Sequence, residues 1–184
     1  MSATSEYRGQ CAYQGGGNIC TIASIIFACS YVKNAYSSPP NPRNIDLLMK
    51  KSVQIYRDVI EHIEGSRHLS TFDCFKQFPL SNKLKSQEFF GCFNPTEEMK
   101  EMEQFDTISN FVCTKLKTHC GVILTSDLTR HSVSAVRDSN RVIHIFDPLT
   151  GKVRTCDSDV NASLTLEAMC MNNGNYDMTL IKLA

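Results

Sequence analysis

The chain has 184 residues, in which 19 lysines and arginines balance 19 aspartates and glutamates. It therefore carries no global field that would gather nucleic acid or an anionic membrane surface. The length suits one domain with a full core; the longest apolar stretch, 22–29, is far below the roughly 20 residues of a membrane-spanning helix, and the polar start Met1-Ser2-Ala3-Thr4-Ser5-Glu6 is no secretory signal. The expectation is a single domain over 1–184, soluble and monomeric, cytoplasmic with the nucleus also compatible, and with no nucleic-acid or membrane partner.

Residues 1–17 are polar and glycine-rich and read as an irregular arm. They lead into an apolar helix over 18–33, for which Asn18 is the expected N-cap. The run Ser37-Ser38-Pro39-Pro40-Asn41-Pro42 ends that element. Ile45, Leu48, Met49, Val53, Tyr56, Ile60 and Ile63 then recur at three- and four-residue steps, which predicts a second helix over 44–64, stopped by Gly65. Between 66 and 96 the pattern is weak, and the aromatic groups Phe72/Phe75/Phe78 and Phe89/Phe90/Phe93 read as a loop-rich connection with short helices. A third helix is expected over 97–117, on the spacing of Phe105, Ile108, Val112 and Leu116.

After Gly121 the period changes to short β-rich runs at 122–125, 132–137, 141–146, 152–156 and 178–183, interrupted by a helix near 162–170. Helices first and consecutive strands afterwards predict an α+β domain in which N-terminal helices pack on a C-terminal antiparallel sheet. The nine cysteines lie at 11, 20, 29, 74, 92, 113, 120, 156 and 170, without a CxxC or any other metal-ligand spacing. Most read as small buried hydrophobes, and neither a metal nor a cofactor is expected.

One thiol stands apart. Cys20 follows the glycine run Gly15-Gly16-Gly17 and opens the apolar helix, so the helix N-terminus biases it toward thiolate, the nucleophilic form. A nucleophile of this kind needs a base, and the segment from Arg130 to Pro148 supplies a candidate. Two β-rich runs flank the polar sequence Asp138-Ser139-Asn140, as in a hairpin. If those three residues form the loop, His131 lies opposite Asp147, Val133 opposite Ile145 and Ala135 opposite Ile143. Opposed side chains have Cβ atoms about 4.5–5.5 Å apart, close enough for the carboxylate to fix the tautomer of the imidazole. His144 alternates with Ile143 and Ile145 and falls on the other face; His62, His68 and His119 lie in or beside predicted helices. Attack on a carbonyl also needs donors for the oxyanion, and Gln14, with Gln10 as the alternative, is positioned upstream to provide a side-chain amide beside the Cys20 N–H.

Taken in order, Gln14, Cys20, His131 and Asp147 resemble the active-site arrangement of papain-like cysteine peptidases. The phrases His131-Ser-Val-Ser-Ala-Val and Ile145-Phe146-Asp147-Pro148-Leu149-Thr150-Gly151 are similar to the histidine strand and the Phe-Asp-Pro strand of small papain-fold deubiquitinases, including those of herpesvirus large tegument proteins. The tegument pattern carries its histidine two residues after the acid, where this chain has Leu149, so the base here comes from His131. The resemblance covers the helix at Cys20 and the strands over 121–156. It implies a papain-like fold and a cysteine peptidase or isopeptidase that cleaves after the C-terminal glycine of ubiquitin or a ubiquitin-like modifier. The alternative that uses the same triad is an acyltransferase, a deamidase or a transglutaminase-like effector.

Overall fold

A strand that is apolar on both sides needs a helical layer over each, and the central strands of this chain are of that kind. The protein is described from a computed structural model, which covers residues 3–14, 19–34, 42–60, 74, 83–92, 105–170 and 175–184. In chain order the elements are β1 (Ala3–Glu6), a 3-10 turn (Gln10–Ala12), α1 (Cys20–Asn34), α2 (Pro42–Ile55) running into one π-helical turn (Tyr56–Ile60), β2 (Leu84–Cys92), β3 (Phe105–Asp106), α3 (Ile108–Thr114), β4 (Cys120–Ser126), β5 (Ser132–Arg137), β6 (Ile143–Asp147), β7 (Lys152–Cys156), α4 (Asp159–Cys170) and β8 (Asn175–Leu183). The strands form one sheet in the order β1-β7-β6-β5-β4-β8-β2-β3, antiparallel throughout except where the short β3 runs parallel to β2.

Strand side chains alternate between two cores. Ile123, Val136, Phe146, Val153 and Ile181 point toward α1 and α2, where they meet Ile22, Phe27, Ile45 and Met49. Their neighbours Val122, Leu124, Val133, Ala135, Ile143, Ile145, Met178 and Leu180 point the other way, onto Ile108, Phe111 and Val112 of α3 and Ala162 and Leu166 of α4. Helix α1 is apolar nearly all round, with every residue from Ile22 to Cys29 buried, because it is covered by the sheet on one side and α2 on another. Gly121 lets it lie close: a Cβ there would be 3.0 Å from the Cβ of Ala28.

Several elements differ from the sequence expectations. The arm contains a strand, β1, which pairs with β7 although all four of its side chains are exposed. The stretch read as loop and short helices contains β2, nine residues paired along β8. Its sequence, Leu-Lys-Ser-Gln-Glu-Phe-Phe-Gly-Cys, has little apolar alternation, so the pairing rests on the backbone ladder, and Gly91 leaves room for the ring of Tyr176 across it. Of the expected helix over 97–117, the described residues are helical at Ile108–Thr114, preceded by β3. Asn18, the glycine run 15–17, the proline run before Pro42, Ile63, Gly65, Phe72, Phe75, Phe78, Phe93, and positions 61–64 and 97–104 of the expected helices lie outside the described residues.

The hairpin register is also corrected. Arg137 pairs with Ile143, Val136 with His144, Ala135 with Ile145 and Ser134 with Phe146. The loop is again three residues, but Ser139-Asn140-Arg141 instead of Asp138-Ser139-Asn140. Asp138 N–H donates to Val142 C=O at 2.9 Å and closes it, and Arg141 takes the left-handed conformation with φ 68°. Asp138 belongs to the strand end because its carboxylate caps the turn, accepting the N–H groups of Asn140 and Val142 at 2.8 and 3.0 Å. The ladder therefore slides by two residues, which preserves side-chain parity: His131 and Asp147 are diagonal neighbours instead of opposed ones, still on one side.

Candidate active site

The first turn of α1 is tied to the start of β5 by hydroxyls. Ala23 N–H donates to Ile19 C=O at 2.8 Å, so Cys20 occupies the first helical position, and its thiol is half-buried, 3.8 Å from the carbonyl oxygen of Arg130. Thr21 Oγ1 lies 2.8 Å from Ser132 Oγ, and Ser24 Oγ donates to Ser132 C=O at 3.1 Å. These contacts set the thiol beside the residue that immediately precedes Ser132, which is His131.

The turn between β4 and β5 fixes the backbone of His131. Ser126 N–H donates to His131 C=O at 3.0 Å, Arg130 N–H to Ser126 C=O at 2.9 Å, and Arg130 adopts φ 55°. On the imidazole, Nε2 lies 2.7 Å from Asp147 Oδ1. That leaves Nδ1 as the ring nitrogen available to Cys20, whose thiol and the imidazole each shift the titration of the other. Asp147 is itself held rigid: Oδ1 accepts Leu149 N–H at 3.0 Å, Oδ2 accepts the Thr150 hydroxyl at 2.7 Å, and Gly151 N–H donates to Asp147 C=O at 2.9 Å. Leu149, at the place of the tegument histidine, contributes that backbone N–H while its side chain is exposed.

Burial opposes charge on all three groups, and their mutual contacts overcome it. The Cys20 thiol is pulled below the ordinary 9.0 despite desolvation, by hydrogen bonds from His131, Ser132 N–H and Thr21 and by the imidazolium charge. Desolvation would lower His131, but Asp147 and Cys20 push it up to about 9. Asp147 is held below the usual carboxylate value against its own burial, chiefly by His131 and Thr150. Thiolate, imidazolium and carboxylate in line form an arrangement that can deliver a nucleophile and return a proton.

The N-terminal arm runs across the back of this site. Tyr7 N–H donates to Gly151 C=O and Gln10 N–H to Pro148 C=O, both at 2.8 Å, so the arm is strapped to the turn that follows Asp147. Gly9 and Gly151 allow the approach: a Cβ on Gly9 would sit 2.2 Å from Leu149 O, and one on Gly151, at φ +69°, would sit 2.5 Å from Tyr7 O. Beyond the crossing, Tyr13 is anchored to α2 through its hydroxyl, which donates to Asp46 at 3.0 Å. The strap buries the side chain of Gln10, 4% exposed, whereas Gln14 is exposed on the following turn. Periodicity offers no signal for this difference; only the proximity of a glycine on each side of the crossing hints at it.

The remaining histidines divide as their positions require. His144 is 1% exposed on the α1 side, with Nε2 2.8 Å from Asp138 Oδ2, Nδ1 3.2 Å from Thr155 Oγ1 and its ring 5.7 Å from that of Tyr31. His119 sits before β4, at the opposite end of the β4–β5 pair from His131; His62 and His68 are outside the described residues. Among the described residues no three His, Cys, Asp or Glu side chains gather as a metal shell, and no helix is long and apolar enough to cross a membrane.

Comparison of the sequence with known protein families and with curated proteins gives no match. Comparison of the fold does. The chain is similar to the crystal structure of the ubiquitin-specific protease encoded by a murine cytomegalovirus tegument protein, solved with a ubiquitin-based suicide substrate, at a TM-score of 0.67 and 14% identity over 99% of this chain and 86% of that one. The helices that flank the sheet thus make an α+β fold that this chain shares with that protease.

Proposed function

We propose that the protein is a cysteine peptidase or isopeptidase whose substrate is ubiquitin or a ubiquitin-like modifier, with Cys20 as nucleophile, His131 as general acid and base, and Asp147 as the group that orients His131. The observation that carries this reading is that the Thr21 and Ser24 bonds to Ser132 set the helix-opening Cys20 beside His131, whose ring holds Asp147 at 2.7 Å. The choice of substrate is supported by the fold shared with a protease captured on a ubiquitin-based substrate.

In this reaction the Cys20 thiolate adds to the carbonyl carbon of the scissile amide or isopeptide bond, and the oxygen becomes an oxyanion. Collapse of that intermediate breaks the C–N bond as the His131 imidazolium protonates the leaving amine, leaving a thioester on Cys20. Neutral His131 then takes a proton from water as its oxygen adds to the thioester carbonyl, Cys20 leaves as thiolate, and the carboxylic acid product departs and gives its proton to solvent, with the thiolate–imidazolium pair restored. Asp147 stabilises the cationic ring at both steps. The oxyanion faces the N-terminus of α1, and the buried Gln10 amide is the donor we assign to it, in preference to the exposed Gln14.

The test is incubation with ubiquitin and ubiquitin-like proteins that carry a C-terminal electrophile. The wild-type protein forms a covalent adduct, and Cys20→Ala forms none. A wild-type protein that stays unlabelled by every such probe refutes the peptidase reading.

A further inference from the structure

Three hydroxyls behind the nucleophile are linked in a row that catalysis by Cys20, His131 and Asp147 does not explain. Thr125 Oγ1 and Thr21 Oγ1 each lie 2.8 Å from Ser132 Oγ, and Thr21 follows Cys20 in the first turn of α1, where its hydroxyl helps to lower the thiol. Ser132 is completely buried, and its position across the ladder from Thr125 places its side chain between the sheet and the first turn of α1. A hydroxyl has one hydrogen to give, so the row has a direction. A thiolate can only accept; Thr21 must then donate to sulfur, its oxygen accepts from Ser132, and the Ser132 oxygen accepts from Thr125.

We infer that Ser132 is a positioning residue for the Cys20 nucleophile: its hydroxyl joins Thr125 to Thr21 in a chain of donors that ends on the sulfur, while its own N–H points at the same atom. The inference rests on the proposed role of Cys20 and deepens it. Ionisation moves the thiol proton from Sγ to Nδ1 of His131, and the three hydroxyl hydrogens then all point toward the new negative charge. Each bond strengthens the donor before it, and the row is buried where such polarisation is least screened. The same row fixes distance. Ser24, one turn further along α1, grips Ser132 C=O at 3.1 Å, so the helix that bears the thiol and the strand that follows His131 cannot slide past each other without breaking both contacts. Among the described residues the charged groups that act on the thiol are His131 and, behind it, Asp147, so a change in the row is read against a constant ionic setting.

The experiment measures the rate at which iodoacetamide alkylates Cys20 in the full chain as a function of pH, followed by mass spectrometry of the peptide that contains it. No ubiquitin is needed. In the wild type the rising limb lies below the ordinary thiol value of 9.0. Thr21→Val, which is isosteric and loses only the hydroxyl, moves the limb up by about one pH unit and slows alkylation at pH 6 about tenfold. Ser132→Ala, which keeps its N–H, gives about a threefold loss, and Thr21→Ser restores the wild-type profile. Limbs that stay in place in both deletion variants overturn the inference, as does a Thr21→Ser profile displaced as far as that of Thr21→Val. Should Ser132→Ala fail to fold, the Thr21 pair decides alone. A wild-type limb at the ordinary thiol value would instead sink the proposed role of Cys20 itself, so the two failures are told apart.

Discussion

Two histidines of one hairpin each hold a carboxylate, His131 with Asp147 at 2.7 Å and His144 with Asp138 at 2.8 Å, and their surroundings give them different work. The side chains of the second pair are 2% exposed on both partners, and Asp138 also caps the turn, so that pair is structural. Removing His144 leaves a buried carboxylate short of a partner. His144→Ala should therefore lower stability by about 1–3 kcal/mol, measured by denaturant unfolding, with the adduct rate of the folded protein unchanged. His131→Ala should instead act on the chemistry, slowing adduct formation at neutral pH about a hundredfold or more. If both variants lose activity alike, the division of labour is wrong. The first pair also sets a pH window. Because His131 is raised from 6.5 to about 9, its stabilising contribution is complete below 6.5 and disappears as pH rises through 9. Asp147 is depressed, so its contribution is complete above 3.8 and disappears as pH falls through its folded value. Wild type and Asp147→Asn should accordingly differ most in unfolding free energy between 3.8 and 6.5, and converge toward pH 9. In turnover, the alkaline limb near 9 should move down toward 6.5 in the variant. A gap that widens toward pH 9 would contradict the assignment.

At the scale of elements, the arm that runs from β1 to the 3-10 turn acts as a strap over the turn between β6 and β7. Its two hydrogen bonds, Tyr7 to Gly151 and Gln10 to Pro148, bracket the backbone that follows Asp147, and Gly9 passes between them with its Cα hydrogens toward Leu149 O. A methyl group there has nowhere to go, since the obstructing atom is backbone. Gly9→Ala should lift the strap and so displace Gln10, and with it the amide assigned to the oxyanion. The expected signature is selective. Turnover of a ubiquitin amide substrate, which passes through an oxyanion, should fall about a hundredfold, whereas alkylation of Cys20 by a small reagent, which does not, should keep its rate. Gln10→Ala should reproduce that pattern without the steric insult, and Gln14→Ala should leave turnover within about threefold of wild type, on the same reasoning. Equal losses in both glutamine variants would mean that the exposed residue reaches the site when substrate binds.

At the scale of the whole molecule, what the sequence makes legible depends on whether an element announces itself through its own side chains. The bounds of β5 and β7 follow from composition alone, and Cys20, His131 and Asp147 stand out because their residue types are chemically specific. Strands β1 and β2 stay hidden because their partners stabilise them: β1 is exposed at every position, and β2 lies along β8 for its whole length with little apolar alternation of its own. The register of the hairpin is misjudged by two residues because a cap made by the Asp138 side chain, invisible to turn propensity, draws Asp138 into the strand and pushes Arg141 into the loop. The error is harmless to the site because it is even. The long-range contact that matters most to the site, α1 on β4 and β5, is equally unreadable from local pattern, since α1 is apolar on nearly every side. Gly121 is where that contact can be tested. A side chain there meets Ala28 Cβ at 3.0 Å, Val136 Cγ1 at 3.2 Å and Val32 Cγ2 at 3.3 Å, two residues of α1 and one of β5. The larger Gly121→Val must push the helix outward, at a cost of about 1–3 kcal/mol in chemical denaturation. Because α1 is a stiff rod that carries Cys20 at one end and the Thr21 and Ser24 contacts beside it, the displacement should reach the thiol. Alkylation of Cys20 at pH 6 should therefore slow in the same variant, and a loss of stability with unchanged Cys20 reactivity would show that the helix bends at Ala28 instead of moving as one body.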